Sequence, residues 1–137
     1  MKEHKDTELE NVEVCEILSE NADNSFYERL INTILSIDLS SYGGIIIMHG
    51  TDTLPFTSSL VAMALRHIDL PVCFVSANFV ITDSRSNALD NLELAVNYIE
   101  NGGKGFVVPY KNPNGEISYI LPQGFMKRIL YRLSSIR

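Results

Sequence analysis

The stretch Gly44–Thr53, which reads GIIIMHGTDT, decides the fold expected of this chain. Its first half is a continuous run of β-branched residues, which is typical of a central strand buried on both faces of a parallel sheet. Its second half places a glycine, hydroxyl groups and a carboxylate directly after that strand. Open α/β sheets bind ligands where their parallel strands end. Thr51 and Asp52 are therefore candidate site residues that can position a water or a nucleophile, or hold a substrate amine.

The rest of the chain alternates strand patterns with helix patterns. Helices are expected after Asp23 or Asn24, after Thr53 with Pro55 in the first turn, and from about Asn87 to the glycines at 102–103. The other strands are predicted at Val12–Leu18, Val72–Val75, Gly105–Tyr110 and Glu116–Leu121, the last two joined by a turn at Asn112–Gly115. This order predicts an α/β fold, a Rossmann-like and mostly parallel sheet with flanking helices and an antiparallel edge hairpin.

Composition narrows the possible classes of protein. The 137 residues suit one domain, and the net charge of −6 argues against a nucleic-acid surface. No apolar stretch approaches 18 residues and no signal peptide opens the chain, which favours a cytoplasmic protein that does not bind membranes. Cys15 and Cys73 lie in apolar runs and are expected to be buried free thiols in a reducing compartment. The histidines are scattered and no Cys-x-x-Cys occurs, so no metal site is predicted.

The order strand, His-Gly-Thr-Asp-Thr, helix resembles the second signature of the L-asparaginase family. These amidohydrolases include the D subunit of the archaeal tRNA-dependent amidotransferase, and the similarity runs from roughly Val12 to Tyr110. The resemblance implies hydrolysis of L-asparagine to L-aspartate and ammonia through a threonine acyl-enzyme. It also implies a small-molecule ligand, no cofactor, and a homo-oligomer whose active sites form between protomers.

The resemblance assigns roles to residues that follow two predicted strands. Ser19 and Glu20 match the positions that hold the α-carboxylate and α-amine of the substrate. Thr51 resembles the catalytic threonine that orients the attacking water, and Asp52 resembles the carboxylate that binds the substrate amine and partners a lysine. Gly50 lets the backbone approach the ligand closely.

The chain departs from much of the family after the strand Val72–Val75. Many members carry Gly-Ala-Met-Arg-Pro where this chain has Ser76–Val80, SANFV. Ala77, a substrate-binding position, is kept, whereas the arginine-proline step that contributes to side-chain amide recognition is not. Lys127 matches by offset alone the family lysine that assists threonine deprotonation, and a surface lysine remains the alternative.

The covalent nucleophile of the family lies in a Thr-Gly-Gly-Thr segment, and this sequence contains none. The expected organisation is an acidic, disordered start at 1–11, a partial asparaginase N-terminal α/β domain at 12–123 and a basic tail at 124–137. On this interpretation the chain alone is an incomplete or inactive enzyme. The alternative function is a non-catalytic domain of the same fold that binds an amino acid.

Simpler structural roles remain open for several of these residues. Thr51 and Asp52 also suit a plain helix cap, and Ser19 and Glu20 a turn. His49 is more typical of a packed residue that shapes the turn than of a general base.

A third function, an unrelated doubly wound nucleotide-binding domain, needs a glycine-rich turn between a strand and a helix. The glycines at 102–105 precede a strand, so they are expected to end a helix. Arg85 is expected to pair with Asp83 on the surface.

Overall fold

The structure is a computed structural model that describes residues 7–14 and 22–122. Residues 12–14, the first part of the predicted strand Val12–Leu18, have no regular secondary structure. The remainder of that strand, Cys15 and the basic tail at 124–137 lie outside the described residues.

The described elements alternate as the sequence predicts. After Asn24–Ser36 (α1) and a short 3₁₀ turn at Leu39–Ser41 come Ile45–Met48 (β1), Leu54–Ala64 (α2), Val72–Val75 (β2), Ala88–Glu100 (α3), Phe106–Lys111 (β3) and Ile117–Ile120 (β4). The predicted bounds therefore hold to within one or two residues at most ends.

The strands form one mixed sheet in the order β1-β2-β3-β4. β1 pairs with β2, and β2 with β3, in parallel, whereas β3 and β4 form the antiparallel hairpin predicted at the edge. In register, Met48 lies beside Val75. The first three strands consequently end at one edge of the sheet, and the segments that follow them meet there.

Helices cover both faces of the sheet. On one face α1 and α2 bury a large core with the alternate residues Ile47, Val72, Phe74, Phe106 and Val108. On the other face α3 packs Ala95 against Cys73, Val75 and Val107. Successive strand residues contribute to opposite cores because side chains alternate across a strand.

Local chemistry explains where several elements begin and end. The Asp23 carboxylate accepts a hydrogen bond from the backbone N–H of Phe26 at 3.0 Å and caps α1. α3 ends at Glu100, and Gly102, which follows the cap residue Asn101, has a left-handed φ of +74°. Gly115 takes a φ of +84° in the β3–β4 turn. The predicted cap, helix stop and turn are confirmed.

The prediction that Ile45–Met48 is a central strand buried on both faces is wrong for the described sheet. Among the described residues β1 pairs only with β2, and Met48 is 62% exposed. The fully buried strand is β2, in which every residue is at most 1% exposed. An apolar run reports the propensity to form a strand and the tendency to be buried, but not how many neighbours the strand has.

Candidate functional site

Polar segments follow each parallel strand at one edge of the sheet. His49–Thr53 follow β1, Ser76–Asn78 follow β2, and Asn112 follows β3. Neighbouring strands lie about 4.8 Å apart, so the residues after β1 and β2 flank one another. This edge thus brings Gly50, Thr51 and Asp52 next to the segment that contains Ala77.

His49 fastens the segment after β1 with three hydrogen bonds. Its backbone N–H donates to the carbonyl of Val75 at 2.8 Å, its Nδ1 lies 2.7 Å from the carbonyl oxygen of Gly50, and its Nε2 lies 2.9 Å from Thr57 Oγ1. A carbonyl only accepts, so the Gly50 contact assigns the proton to Nδ1, and Nε2 accepts from the Thr57 hydroxyl. Both ring nitrogens are therefore engaged.

Burial reinforces this neutral form of the His49 ring. Desolvation lowers the pKa of His49 below its usual range, and the bond to the Gly50 carbonyl opposes this only in part. The predicted packed role is confirmed, because the ring joins the turn to the fully buried Thr57 of α2. The Nε2 lone pair faces the buried hydroxyl of Thr57, whereas Thr51 and Asp52 are exposed.

Thr51 and Asp52 are exposed and precede the cap of α2. The cap position is Thr53, whose carbonyl accepts from the N–H groups of Phe56 and Thr57, although its side chain makes no capping bond. The alternative in which Thr51 and Asp52 cap the helix is therefore wrong. The turn presents a hydroxyl and a carboxylate at the edge of the sheet, in front of the first turn of a helix.

Two asparagines of the α3 region connect the ends of β2 and β3. Fully buried Asn91 donates through Nδ2 to the Ser76 carbonyl at 2.7 Å, and its Oδ1 accepts from the Lys111 N–H at 2.8 Å. Asn87 donates to the Lys111 carbonyl at 2.8 Å and accepts from the Asn78 N–H at 3.0 Å. These contacts hold the loop after β2 in one position.

Sequence reasoning missed this asparagine pair. The sequence does contain a signal for the buried position of Asn91. Asn91 lies four residues before Ala95, and this spacing places both residues on the buried face of α3. An asparagine on an apolar stripe is expected to be hydrogen-bonded to the backbone of a neighbouring element.

The segment after β2 contains one buried hydroxyl that sequence reasoning also missed. Ser76 is 4% exposed, and its Oγ has no hydrogen-bond partner in the part of the chain that the structure describes. Ala77, the substrate-binding position of the resemblance, is half-buried beside it.

Further along this loop, Arg85 makes two hydrogen bonds to the Asp83 carboxylate, at 2.7 and 3.0 Å, and lies over the Phe79 ring. The Arg85 bonds lower the pKa of Asp83. The predicted surface pair is confirmed.

Three predicted site residues, Ser19, Glu20 and Lys127, lie outside the described residues. Their proximity to Thr51 and Asp52 remains a prediction. Within residues 7–14 and 22–122, no three histidine, cysteine or acidic side chains are grouped so as to hold a metal ion. In the same ranges no helix has both the length and the apolar character needed to cross a membrane.

Comparison with known proteins shows the family of the chain. The model of the asparaginase N-terminal domain family matches residues 1–113. An L-asparaginase from Thermococcus kodakarensis is 38% identical over 69 residues, which are 50% of this chain and 21% of that protein. The D subunit of the glutamyl-tRNA(Gln) amidotransferase of Thermoplasma acidophilum is 28% identical over 106 residues, covering 71% of this chain and 26% of that protein.

A solved structure agrees at the level of the fold. The thermostable L-asparaginase from Thermococcus kodakarensis superposes with a TM-score of 0.77 at 24% identity, over 89% of this chain and 35% of that one. The fold defines the class of protein as an α/β domain with a mostly parallel sheet. The chain belongs to the asparaginase family and matches its N-terminal domain. It spans about a fifth to a quarter of the length of the curated relatives above.

Proposed function

We propose that this chain supplies the amino-acid-binding part of an asparaginase-type site, at which L-asparagine is hydrolysed to L-aspartate and ammonia. The observation that carries the proposal is the exposed Thr51-Asp52 pair, presented at the carboxyl end of β1 by a turn that His49 fastens. Membership of the asparaginase family supports the same substrate class.

The proposed chemistry has two steps. A threonine hydroxyl attacks the side-chain amide carbon, the C–N bond breaks, and ammonia leaves with the hydroxyl proton. A water then attacks the resulting ester, which releases aspartate and restores the hydroxyl. Thr51 orients that water, and Lys127 assists removal of the threonine proton.

The remaining site residues bind the amino-acid head group. Asp52 pairs with the ammonium of the substrate, and Ser19 and Glu20 hold its carboxylate and amine. Gly50 and Ala77 border the ligand through their backbone. In this proposal the chain contributes binding and water activation, because its sequence contains no Thr-Gly-Gly-Thr nucleophile segment.

Binding of L-aspartate to the purified chain tests the pocket. Amide resonances of Thr51 and Asp52 should shift on titration, and Asp52→Asn should weaken binding by about tenfold or more, because it removes the charge that pairs with the ammonium. The exposed Asp69→Asn, which changes the net charge equally, is the matched control. Equal affinity of both variants would contradict the assignment of Asp52.

Turnover is tested separately by coupled ammonia detection with L-asparagine. The chain alone should release no ammonia above the heat-denatured control, since loss of a nucleophile removes several orders of magnitude of rate. Release that Thr51→Ala abolishes would contradict this and would make Thr51 or Thr53 the nucleophile to test.

A second candidate function is a binding domain without catalysis. The nucleotide sequence upstream of the Met1 codon separates the two, because an in-frame Thr-Gly-Gly-Thr there supports the enzyme, and its absence supports the binding domain.

A further inference from the structure

The outer face of α2 carries an apolar stripe that the described residues leave largely exposed. It consists of Phe56, Leu60 and Met63, which recur at the i, i+4 and i+7 spacing of one helix face and are between 36% and 60% exposed. Burying apolar surface contributes about 25 cal/mol for each Å² removed from water. An apolar segment of the right length therefore gains stability by packing on this stripe.

The chain leaves the described structure beside the stripe. Pro122, the last described residue, is fully buried, and its carbonyl accepts a hydrogen bond from Ser59 Oγ at 3.1 Å. Ser59 lies three residues after Phe56 and four before Met63, so it neighbours both on the surface of α2. Pro122 has a helical backbone, and proline suits the first turn of a helix. Residues 123–137 therefore start at the side of the stripe.

The sequence of residues 123–137, QGFMKRILYRLSSIR, has the pattern of an amphipathic helix. At 100° for each residue, its phenylalanine, methionine, isoleucine and leucine residues fall within one arc of about 140°. The bases Lys127, Arg128 and Arg132 fall outside that arc. The apolar arc comprises Phe125, Met126, Ile129, Leu130, Leu133 and Ile136.

The lengths of the two apolar surfaces agree. At a rise of 1.5 Å for each residue, a helix from Phe125 to Ile136 carries its apolar arc over about 16 Å, and the 11 residues of α2 have about the same length. The other segments outside the described residues match the stripe less well. Residues 1–6 contain Met1 as their one large apolar residue, and residues 15–21 are tied at both ends, to the core through Val14 and to the start of α1.

We propose that the α2 stripe is the docking site of residues 123–137, which pack on it as an amphipathic helix with their basic side outward. Exchange of this segment between two copies of the chain forms the same contact. The inference does not rest on the proposed asparaginase chemistry, because it concerns the outer face of α2 and the apolar side of the segment. Lys127 belongs to the basic side and is unchanged in every test below.

Oxidation of Met63 by hydrogen peroxide, followed by peptide mass spectrometry on the full chain, tests the contact, because a covered thioether oxidises slowly. Leu130→Lys with Leu133→Lys places two charges on the apolar side of the segment and should speed oxidation of Met63 at least about fivefold. Ser134→Lys with Ser135→Lys adds the same charge outside the apolar arc, and it should leave the rate within about twofold of the unaltered chain.

Two outcomes of this experiment overturn the proposal. One is oxidation of Met63 in the unaltered chain as fast as that of free methionine, which would show that nothing covers the stripe. The other is slow oxidation of Met63 that neither pair of substitutions changes, which would show that a different surface covers it. The first outcome needs no variant, so the test does not depend on a variant folding.

Trypsin digestion tests the contact from the side of α2. A docked helix is cleaved slowly, so Leu60→Lys should speed cleavage after Arg128 and Arg132 at least about fivefold. Leu89→Lys adds the same charge to α3 at a position that is 54% exposed, and it is the matched control. Circular dichroism and thermal melting check that both variants keep the fold. Equal rates of cleavage in the unaltered chain and in Leu60→Lys overturn the proposal.

Discussion

Single buried side chains determine the shape of the candidate site more than the exposed residues do. His49 ties the turn after β1 to α2, and Asn91 ties the end of β2 to β3. Each is a polar group in a mostly apolar environment, and each has both of its hydrogen-bonding ends satisfied. Removing either takes a hydrogen bond from a buried residue, Thr57 for His49 and Ser76 for Asn91, and an unsatisfied buried group costs more than the bond itself contributes.

Asn91→Ala should reduce the free energy of unfolding by about 3 kcal/mol, because the Ser76 carbonyl and the Lys111 N–H each lose a buried partner worth about 1–3 kcal/mol. Urea unfolding followed by circular dichroism measures the change. Asn32→Ala, on the exposed side of α1, is the matched control and should stay within about 0.5 kcal/mol. Similar losses for the two variants would show that the Asn91 bridge contributes little.

The stability of the chain should fall as the pH drops below about 6.5, the ordinary pKa of histidine, with His49 as one cause. Burial holds the folded-state pKa of His49 below its ordinary value of 6.5, so folding favours the neutral ring. That contribution is complete above the unfolded pKa and is lost as the pH falls through it towards the folded pKa. His49→Gln should flatten the stability profile in this range, and the exposed His67→Gln is the matched control.

At the scale of elements, the hairpin and the helix ends follow from local chemistry, whereas the position of β1 does not. Asn112–Gly115 closes a turn in which the Gly115 N–H donates to the Asn112 carbonyl at 2.9 Å. Such a turn depends only on the identity of a few adjacent residues, so the sequence predicts it. The number of neighbours of a strand depends on other segments, so the apolar run of β1 favours the centre of the sheet although the described strand lies at an edge.

Gly115→Ala should destabilise the chain by about 1–2 kcal/mol, because Gly115 has a left-handed φ of +84° that a Cβ disfavours. The added Cβ meets no atom within 4 Å, so the effect is one of backbone conformation alone. Gly43→Ala is the control, since its Cβ makes only an ordinary contact of 3.9 Å and its φ is not left-handed. Gly115→Asn should recover part of the loss, and a loss as large as that of Gly115→Ala would contradict the conformational explanation.

At the scale of the whole molecule, the described surface carries a helical apolar stripe. Phe56, Leu60 and Met63 of α2 are 60%, 36% and 55% exposed, and they lie at the i, i+4 and i+7 spacing of one helix face. The opposite side of α2 is buried through Val61 and through Leu65, the residue that caps its C-terminus. Helical periodicity in the sequence predicts that Leu60 lies on the same buried face as Val61 and Leu65. In the structure Leu60 lies on the exposed face instead. We expect an exposed apolar stripe of this kind to favour association.

The purified chain should therefore self-associate, and Leu60→Lys with Met63→Lys should shift it towards a monomer in light scattering. Leu89→Lys introduces the same kind of charge at a position of α3 that is 54% exposed, and it should have a smaller effect. A wild-type chain that is a monodisperse monomer and melts sharply above about 65 °C would contradict both the stripe and the expectation of marginal stability.

The sequence by itself determined the order and approximate bounds of the described elements, the antiparallel hairpin, the family and the segment after β1 that carries the candidate site. The elements and the hairpin follow from periodicity, caps and turns, and the family follows from a short motif. Each of these involves only residues that are close together in the chain. Only the tertiary structure decided that β1 lies at an edge of the described sheet, that Asn91 bridges the ends of two strands, and that Ser76 is buried. These depend on which distant segments pack together, because burial and strand pairing are properties of a residue's neighbours in space rather than of its neighbours in the chain.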